Sequence, residues 1–300
     1  MTTVTYYPAA PDGAAVGAKP YNPIITSGFD PAIHKFPSFA SQVATRTKVD
    51  LKAYFRDKDA MIWYFAFPIV FLAIFAVMNN ALEIAHPEYG YDAAINFATL
   101  FLPGLIALGV MLSSFNAMSA TLAAEREKGA LKRLLATPLT PAAFFTGKAL
   151  MVLITTVVQA ALLIGVASLV FGAHLPTSPV VWLQFVGWML LGAFSGSMIG
   201  ILFSNIGSAK ANANISNGLV NILAFISGIF LIGAIPTWLL TIAQVFPMYW
   251  LASAMRSVFM PAGFYTPEHS LWIGAAVMSA WAVIGLGIVR RTFRWMPQHK

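Results

Sequence analysis

The chain has 300 residues, of which 58% are hydrophobic and only 10% charged, and its mean hydropathy is +0.73. A soluble domain of this length would need a far larger charged surface, so the composition excludes an ordinary soluble fold and calls for lipid as solvent. The formal net charge of +7 lies in short stretches between apolar blocks, with no basic face interleaved with aromatics, which argues against nucleic acid as a partner; zero cysteine removes disulfides, thiolate metal sites and a thiol nucleophile.

Residues Met1 to about Lys35 are rich in Pro, Gly and Ala, and Pro8, Pro11, Pro20, Pro23 and Pro31 interrupt any regular element. Residues 1–37 read as a flexible cytoplasmic tail, without the basic start and apolar core of a cleaved leader. From Ser38 to Asp59, Phe39, Val43, Leu51, Tyr54 and Phe55 recur near helical spacing, while Arg46, Lys48, Lys52, Arg56 and Lys58 supply a basic face. That pattern predicts an amphipathic helix on the inner membrane surface, a plain solvated helix being the alternative.

The rest, residues 38–300, reads as one membrane domain. A bilayer core needs about twenty apolar residues as helix. Blocks of about that length run approximately from Met61 to Met78, Phe97 to Ala120, Ala149 to Phe171, Val180 to Phe203, Ile215 to Ile235 and Leu271 to Val289, with no charged residue or histidine inside them. The fold class expected is an all-α membrane protein with six transmembrane helices.

Between the second and third blocks the connector reads EREKGALKRLLATPLTPAAFFTGK over Glu125 to Lys148. Gly129 suits a left-handed cap that stops the second span's cytoplasmic extension. Ala130 to Ala136 then predicts two turns of helix with Leu131, Leu134 and Leu135 on one face and Lys132 and Arg133 beside them, and Thr140-Pro141 is a start signal for the third span. A short amphipathic helix held by two rigid spans can dock a partner; a connector whose charges only enforce topology is the other reading.

Before the last block, Pro236, Pro247 and Pro261 cut an apolar stretch into Trp238–Val245 and Met248–Phe259, each too short to cross. These predict an outer helical hairpin that either dips into the membrane or lies on it, with Trp238, Tyr249, Trp250 and Trp272 at the interface. Lys and Arg set orientation: the connectors holding Lys19 to Lys58, Arg126 to Lys148, Lys210 and Arg290 to Lys300 fall on one side, and only Arg256 on the other. An even number of spans with both termini in the cytoplasm follows, in a cell inner or plasma membrane.

Catalytic signatures are lacking. His34, His86, His174, His269 and His299 lie in tails or connectors and form no HExxH pair; Gly147-Lys148 is followed by Ala149 and preceded by Ala142 where a phosphate-binding loop needs glycine. The chain is expected to bind no cofactor or metal, and if it pumps, ATP and Mg belong to another subunit.

The connector resembles the inner loop of ATP-binding-cassette exporters of the type-2 permease family, typically E-R-E-x-G-T-L-x-x-L-L-x-T-P-L-S followed by G-K. Glu125, Arg126, Glu127, Gly129, Leu131, Leu134, Leu135, Thr137, Pro138, Leu139, Gly147 and Lys148 match, with Ala130 in place of Thr and Thr140 in place of Ser. More weakly, Phe246-Pro247-Met248-Tyr249-Trp250-Leu251 looks like the proline-led helix before that family's last span, with Phe246 where Asn is common. The resemblance implies a homodimeric permease bearing two copies of a cytoplasmic ABC ATPase. Ala130 to Ala136 would be the coupling helix, with Leu131 and Leu134 in the ATPase groove and Glu125, Glu127, Lys132 and Arg133 as charged partners. Multidrug or lipid export is the activity implied; polysaccharide export, or a carrier without an ATPase, is the alternative.

Polar residues inside the spans are the pointers to a pathway. Gly109, Ser113 and Asn116 share a face of the second span, and Asn214, Asn217 and Asn221 one of the fifth. Ser113, Asn116, Asn217 and Asn221 either line a cavity between two chains or hydrogen-bond neighbouring helices. Gly192, Gly196 and Gly200, four apart, predict close helix packing, and Pro68 and Pro103 predict kinks.

Overall fold

The structure, a computed structural model, describes residues 37–78, 84–86, 91–135, 137, 139–230, 235–261 and 264–292. The expected tail, Ala136 and Pro138 of the connector, and the basic end with Arg294 and Lys300 lie outside these.

The first helix, α1 (Phe39–Arg56), starts at Ser38, whose hydroxyl accepts from Ser41 N at 3.3 Å and so satisfies one of the donors that a helix start leaves free. Its inward face departs from the apolar stripe read in the sequence. Val43, Thr47, Asp50 and Tyr54 are buried, whereas Phe39 and Phe55 are 53% and 45% exposed. The buried four share one side of the helix because they are spaced four, three and four apart. That side is partly polar because it packs on the polar start of the helix Pro141–Leu169, described below.

Next, α2 runs through Lys58–Met61, the π-helical stretch Ile62–Ala66 and Phe67–Met78. Pro68 has no N–H to give to the carbonyl of Tyr64 four residues earlier. Gln159, from the middle of the helix Pro141–Leu169, supplies a donor instead, Nε2 to Tyr64 O at 2.6 Å. The described bundle is built of helices, as expected, with one short addition after α2: β1 (Ile84–His86) pairs antiparallel with β2 (Tyr91–Ile95), Ile84 opposite Ile95 and His86 opposite Tyr91. Pro87 and Gly90, which suit a chain reversal, stand between the two strands in the sequence.

The long helix α3 (Phe97–Glu127) is the centre of the bundle, with 94% of its apolar window buried. Its 31 residues extend about 46 Å at 1.5 Å per residue, enough to cross a bilayer and continue beyond it. Asn96 caps it, accepting from Thr99 N at 2.9 Å while donating to the carbonyls of Phe171 and Gly172. The helix contains Pro103 and a π-helical stretch, Leu112–Asn116.

After α3 come the connector helix α4 (Ala130–Leu135), α5 (Pro141–Leu169), α6 (Pro179–Phe203), α7 (Ala209–Ile226), α8 (Thr237–Ala243), α9 (Pro247–Phe259) and α10 (Leu271–Thr292). Among the described residues, α3, α5, α6 and Leu271–Val289 of α10 are long and apolar enough to span a membrane; α8 and α9, bent by 100°, make a fifth if counted as one broken span. The apolar part of α2, Ile62–Val77, is shorter than such a span. The fifth block of the sequence begins as helix earlier than expected, at Ala209, and ends at Ile226, where Gly228 takes a φ of 71°.

The predicted close packing of α6 is found. A Cβ on Gly192 would lie 2.8 Å from Leu251 of α9, on Gly196 2.3 Å from the Ser114 hydroxyl, and on Gly200 2.5 Å from the Phe115 carbonyl. Helix α9 is itself buried against α3, α6 and α10, with Met248, Leu251, Ala252, Ala254 and Met255 fully covered. Trp250 and Trp281 donate their indole N–H groups to the carbonyls of Gln244 and Val245 at 2.6 and 2.8 Å, closing the bend between α8 and α9.

Candidate functional site

The connector begins where α3 ends. Lys128 stays helical and Gly129 turns left-handed at φ 65°, its N–H bonding Arg126 O at 3.0 Å; Thr140 caps α5 through Ala143 N at 3.2 Å with Pro141 next. Both local signals read in the sequence are therefore present.

Each charged residue of the E-R-E run reaches a different element. Glu125 Oε1 accepts from Arg46 Nη2 of α1 at 2.5 Å and from Lys148 Nζ of α5 at 2.9 Å. Arg126 donates to the Ser204 carbonyl just past α6 at 2.5 Å. Glu127 Oε2 accepts from Ala209 N, the first residue of α7, at 2.8 Å. A carboxylate at a helix start is favourable because the free N–H groups there carry partial positive charge. The end of α3 is in this way tied to α1, α5, α6 and α7 at once.

Around Glu125 a neutral quartet forms. Arg46 also pairs with Asp50 one turn along α1 at 2.8 Å, and Lys148, fully buried, lies 3.6 Å from Asp50. Both cations stand over the Phe144 ring, Arg46 at 4.6 Å and Lys148 at 5.5 Å from its centroid, a favourable place for positive charge. Gly147 permits this approach: a Cβ there would come within 2.7 Å of Arg46 Cγ, and its carbonyl accepts from Thr47 Oγ1 at 3.2 Å. The G-K pair of the motif thus has a physical account: the glycine admits α1, and the lysine with Arg46 balances the two carboxylates.

Burial pushes the Asp50 carboxyl above its ordinary value, and Glu125 adds to this, although Lys148 and Arg46 pull the other way. The folded chain therefore holds the Asp50 proton at pH values where the unfolded chain has released it. This contribution to stability is present below the unfolded value of 3.8 and declines as pH rises through the raised folded value. Asp50→Asn should consequently leave the neutral-pH thermal midpoint in detergent unchanged or higher. It should also flatten the decline that sets in as pH rises above the unfolded value of 3.8. A clear loss of stability at neutral pH would show instead that the ionised form is the one the fold favours.

In α4, Leu131 is fully buried in the chain's own core, Leu134 is half-buried, and Arg133 is exposed with Nη1 donating to Lys128 O at 3.2 Å. The side chains of Lys132 and Leu135 lie outside the described residues. Sequence reasoning missed Asp50 altogether and placed Arg46 on a solvated basic face; the Arg46–Asp50 spacing of four was the available signal.

The polar residues read from the sequence make hydrogen bonds between and within helices. Ser113, fully buried, donates to Gln159 Oε1 at 2.8 Å; Asn116 Nδ2 reaches Asn217 Oδ1 at 3.4 Å; Asn221 donates to Asn217 O at 2.8 Å. Ser119, Asn212 and Ser216 continue the ladder between α3 and α7 with bonds of 2.6 and 2.9 Å. Asn217 and Asn221 keep partial exposure, and Asn214 is exposed.

Comparison with known proteins bears on this arrangement. A protein of Escherichia coli K12 named "Probable multidrug ABC transporter permease YbhR" is 24% identical over 190 residues, covering 61% of this chain and 50% of the relative, and its namesake in Escherichia coli O157:H7 gives the same figures. The chain spans about half the length of these curated relatives. The sequence profile of the ABC-2 type transporter family matches residues 41–260, from the first turn of α1 to just past α9. A match over more than half of the chain, enclosing the whole connector, makes this protein a membrane-spanning member of the ABC-2 type transporter family.

Proposed function

We propose that the chain is the permease subunit of an ATP-driven exporter, working as a homodimer on two copies of a separate cytoplasmic ATPase. The observation that carries the reading is the knot just before α4, where Glu125, Arg126 and Glu127 tie the end of α3 to four other elements. A displacement of α4 by ATPase closure would reach all of them together, which is what switching a pathway between inward and outward access requires. In this reading Arg133, Lys132 and the outer part of Leu134 meet the ATPase, and Leu131 anchors α4 to the bundle.

The topology that goes with it has six crossings, made by α2, α3, α5, α6, the segment opened by α7, and α10. Helices α8 and α9 form a re-entrant hairpin on the outer side, α1 lies at the inner surface, and both termini are cytoplasmic in a bacterial inner membrane. Asn214, Asn217 and Asn221 on α7 would face the pathway between the two copies. An interior rich in Phe and Met without charge at mid-membrane suits an amphipathic drug-like compound or lipid as cargo, and the relatives' name as multidrug permeases agrees with that class.

The tagged full-length chain, purified from its native membrane in mild detergent, should bring down an ATPase subunit, and the pair should hydrolyse ATP. Lys132→Glu with Arg133→Glu should lower that hydrolysis about tenfold or more while leaving the permease inserted and dimeric. Recovery of the chain without any ATPase would end the proposal.

A further inference from the structure

At the end of the bundle opposite the charge quartet, a cavity of about 330 Å³ opens between the first turns of α3, the bend after α7, α9 and the segment leading to α10. Its wall is apolar where Leu100, Phe101, Ile229 and Met260 meet it, and its polar groups are few: Arg256, Glu268, Tyr249, Tyr265 and Ser227. This volume is in the range of small-molecule sites.

The two charges are arranged in an uncommon way. Arg256 is half-buried and held in place by one bond, Nη2 to Gly228 O at 2.6 Å; Glu268 is exposed at the rim. They line one cavity, yet neither forms an ion pair with the other or with a third described residue. Arg256 is also the one Lys or Arg that the sequence pattern assigns to this side of the membrane. Beside them Ser227 is 1% exposed and its hydroxyl has no hydrogen-bond partner, although buried polar groups are nearly always paired. Tyr265 is fixed by a 2.8 Å bond between its hydroxyl and Ser253.

We infer that this cavity binds the zwitterionic head of an amphipathic molecule, an anionic phosphate or carboxylate on Arg256 and Ser227 and an ammonium at Glu268. Arg is suited to planar or tetrahedral oxyanions, and a hydroxyl at hand satisfies a further oxygen. Tyr249 and Tyr265 line the same cavity as Glu268 and give an ammonium aromatic neighbours. The hydrocarbon part follows Leu100, Phe101 and Met260 towards the lipid. A purely anionic head would leave Glu268 repelling it, and a purely cationic one would leave Arg256 unmatched. The inference goes beyond the export reading: it concerns the permease chain alone and needs no ATPase.

The probes are two single-chain lipids in titrations of the purified chain in neutral detergent, lysophosphatidylethanolamine and lysophosphatidylglycerol, which share a phosphate and differ by the ammonium. The first should bind about tenfold more tightly than the second. Glu268→Gln should erase that preference, and Arg256→Gln should weaken both by about tenfold or more. Because Arg256 also secures the bend at Gly228, its variant can lose the fold; Glu268 lies outside the helices and bonds nothing there, so Glu268→Gln decides the matter by itself. Equal binding of the two lipids, or a preference that survives Glu268→Gln, overturns the inference. Mass spectrometry of the chain as isolated separates the two sources of such a head. A retained phosphatidylethanolamine indicates a membrane lipid as occupant, whereas an empty site that still binds the probe indicates a passing cargo, and both agree with the proposed chemistry. If the ATPase pull-down fails while the lipid preference holds, the export reading falls and this one stands.

Discussion

Lys148→Met should cost about 3–5 kcal/mol of stability, measured by denaturant titration of the detergent-solubilised chain. The ammonium is wholly out of solvent and touches Glu125 at 2.9 Å and Asp50 at 3.6 Å. Removing it leaves two carboxylates facing one arginine in a partly buried site. Loss of one partner of a buried pair is expensive because the desolvated charge left behind has no compensation. Lys148→Met combined with Glu125→Leu should be milder than Lys148→Met alone, because Arg46 and Asp50 still pair at 2.8 Å and no orphan remains. Should the double variant prove the less stable of the two, the quartet would have to be stabilising beyond what its separate pairs explain.

Gly200→Leu should cost about 3 kcal/mol in the same titration. The first added carbon would stand 2.5 Å from the backbone carbonyl of Phe115 and 3.1 Å from Met118 Cβ. Neither is the free end of a flexible side chain, so α3 and α6 would have to separate. The matched control is Gly187→Leu on the same helix, where a Cβ meets nothing within 4 Å. That variant should insert and fold as the parent does. Equal tolerance at both positions would mean that the contact between these helices is looser than described.

Much of this arrangement was legible from residue order alone because it depends on near neighbours. The cap at Thr140, the left-handed turn at Gly129 and the small-residue face of α6 each need only a few adjacent positions. The quartet was not legible in that way. Arg46, Asp50, Glu125 and Lys148 come from three helices, and Glu125 is 79 positions from Arg46 in the chain. Hydropathy reported a basic surface helix there, whereas the helix turned its Arg and Asp inward because α5 offered a lysine to balance them. Gln159 was overlooked for a related reason: one amide inside a long apolar block barely alters its mean hydropathy. Leu131 fits the connector motif equally well whether it faces a partner or the chain's own core; tertiary packing decided for the core.

The bond from Gln159 to Tyr64 limits which movements the bundle can make. Pro68 has taken away the donor that this carbonyl would otherwise have had, and the replacement comes from another helix. Sliding α5 along α2 by one turn, about 5.4 Å, would part a buried peptide oxygen from the amide that serves it, at a penalty of about 1–3 kcal/mol. Those two rods must therefore travel as one piece during any opening and closing, and the freedom for such a cycle has to be sought at joints made of softer contacts.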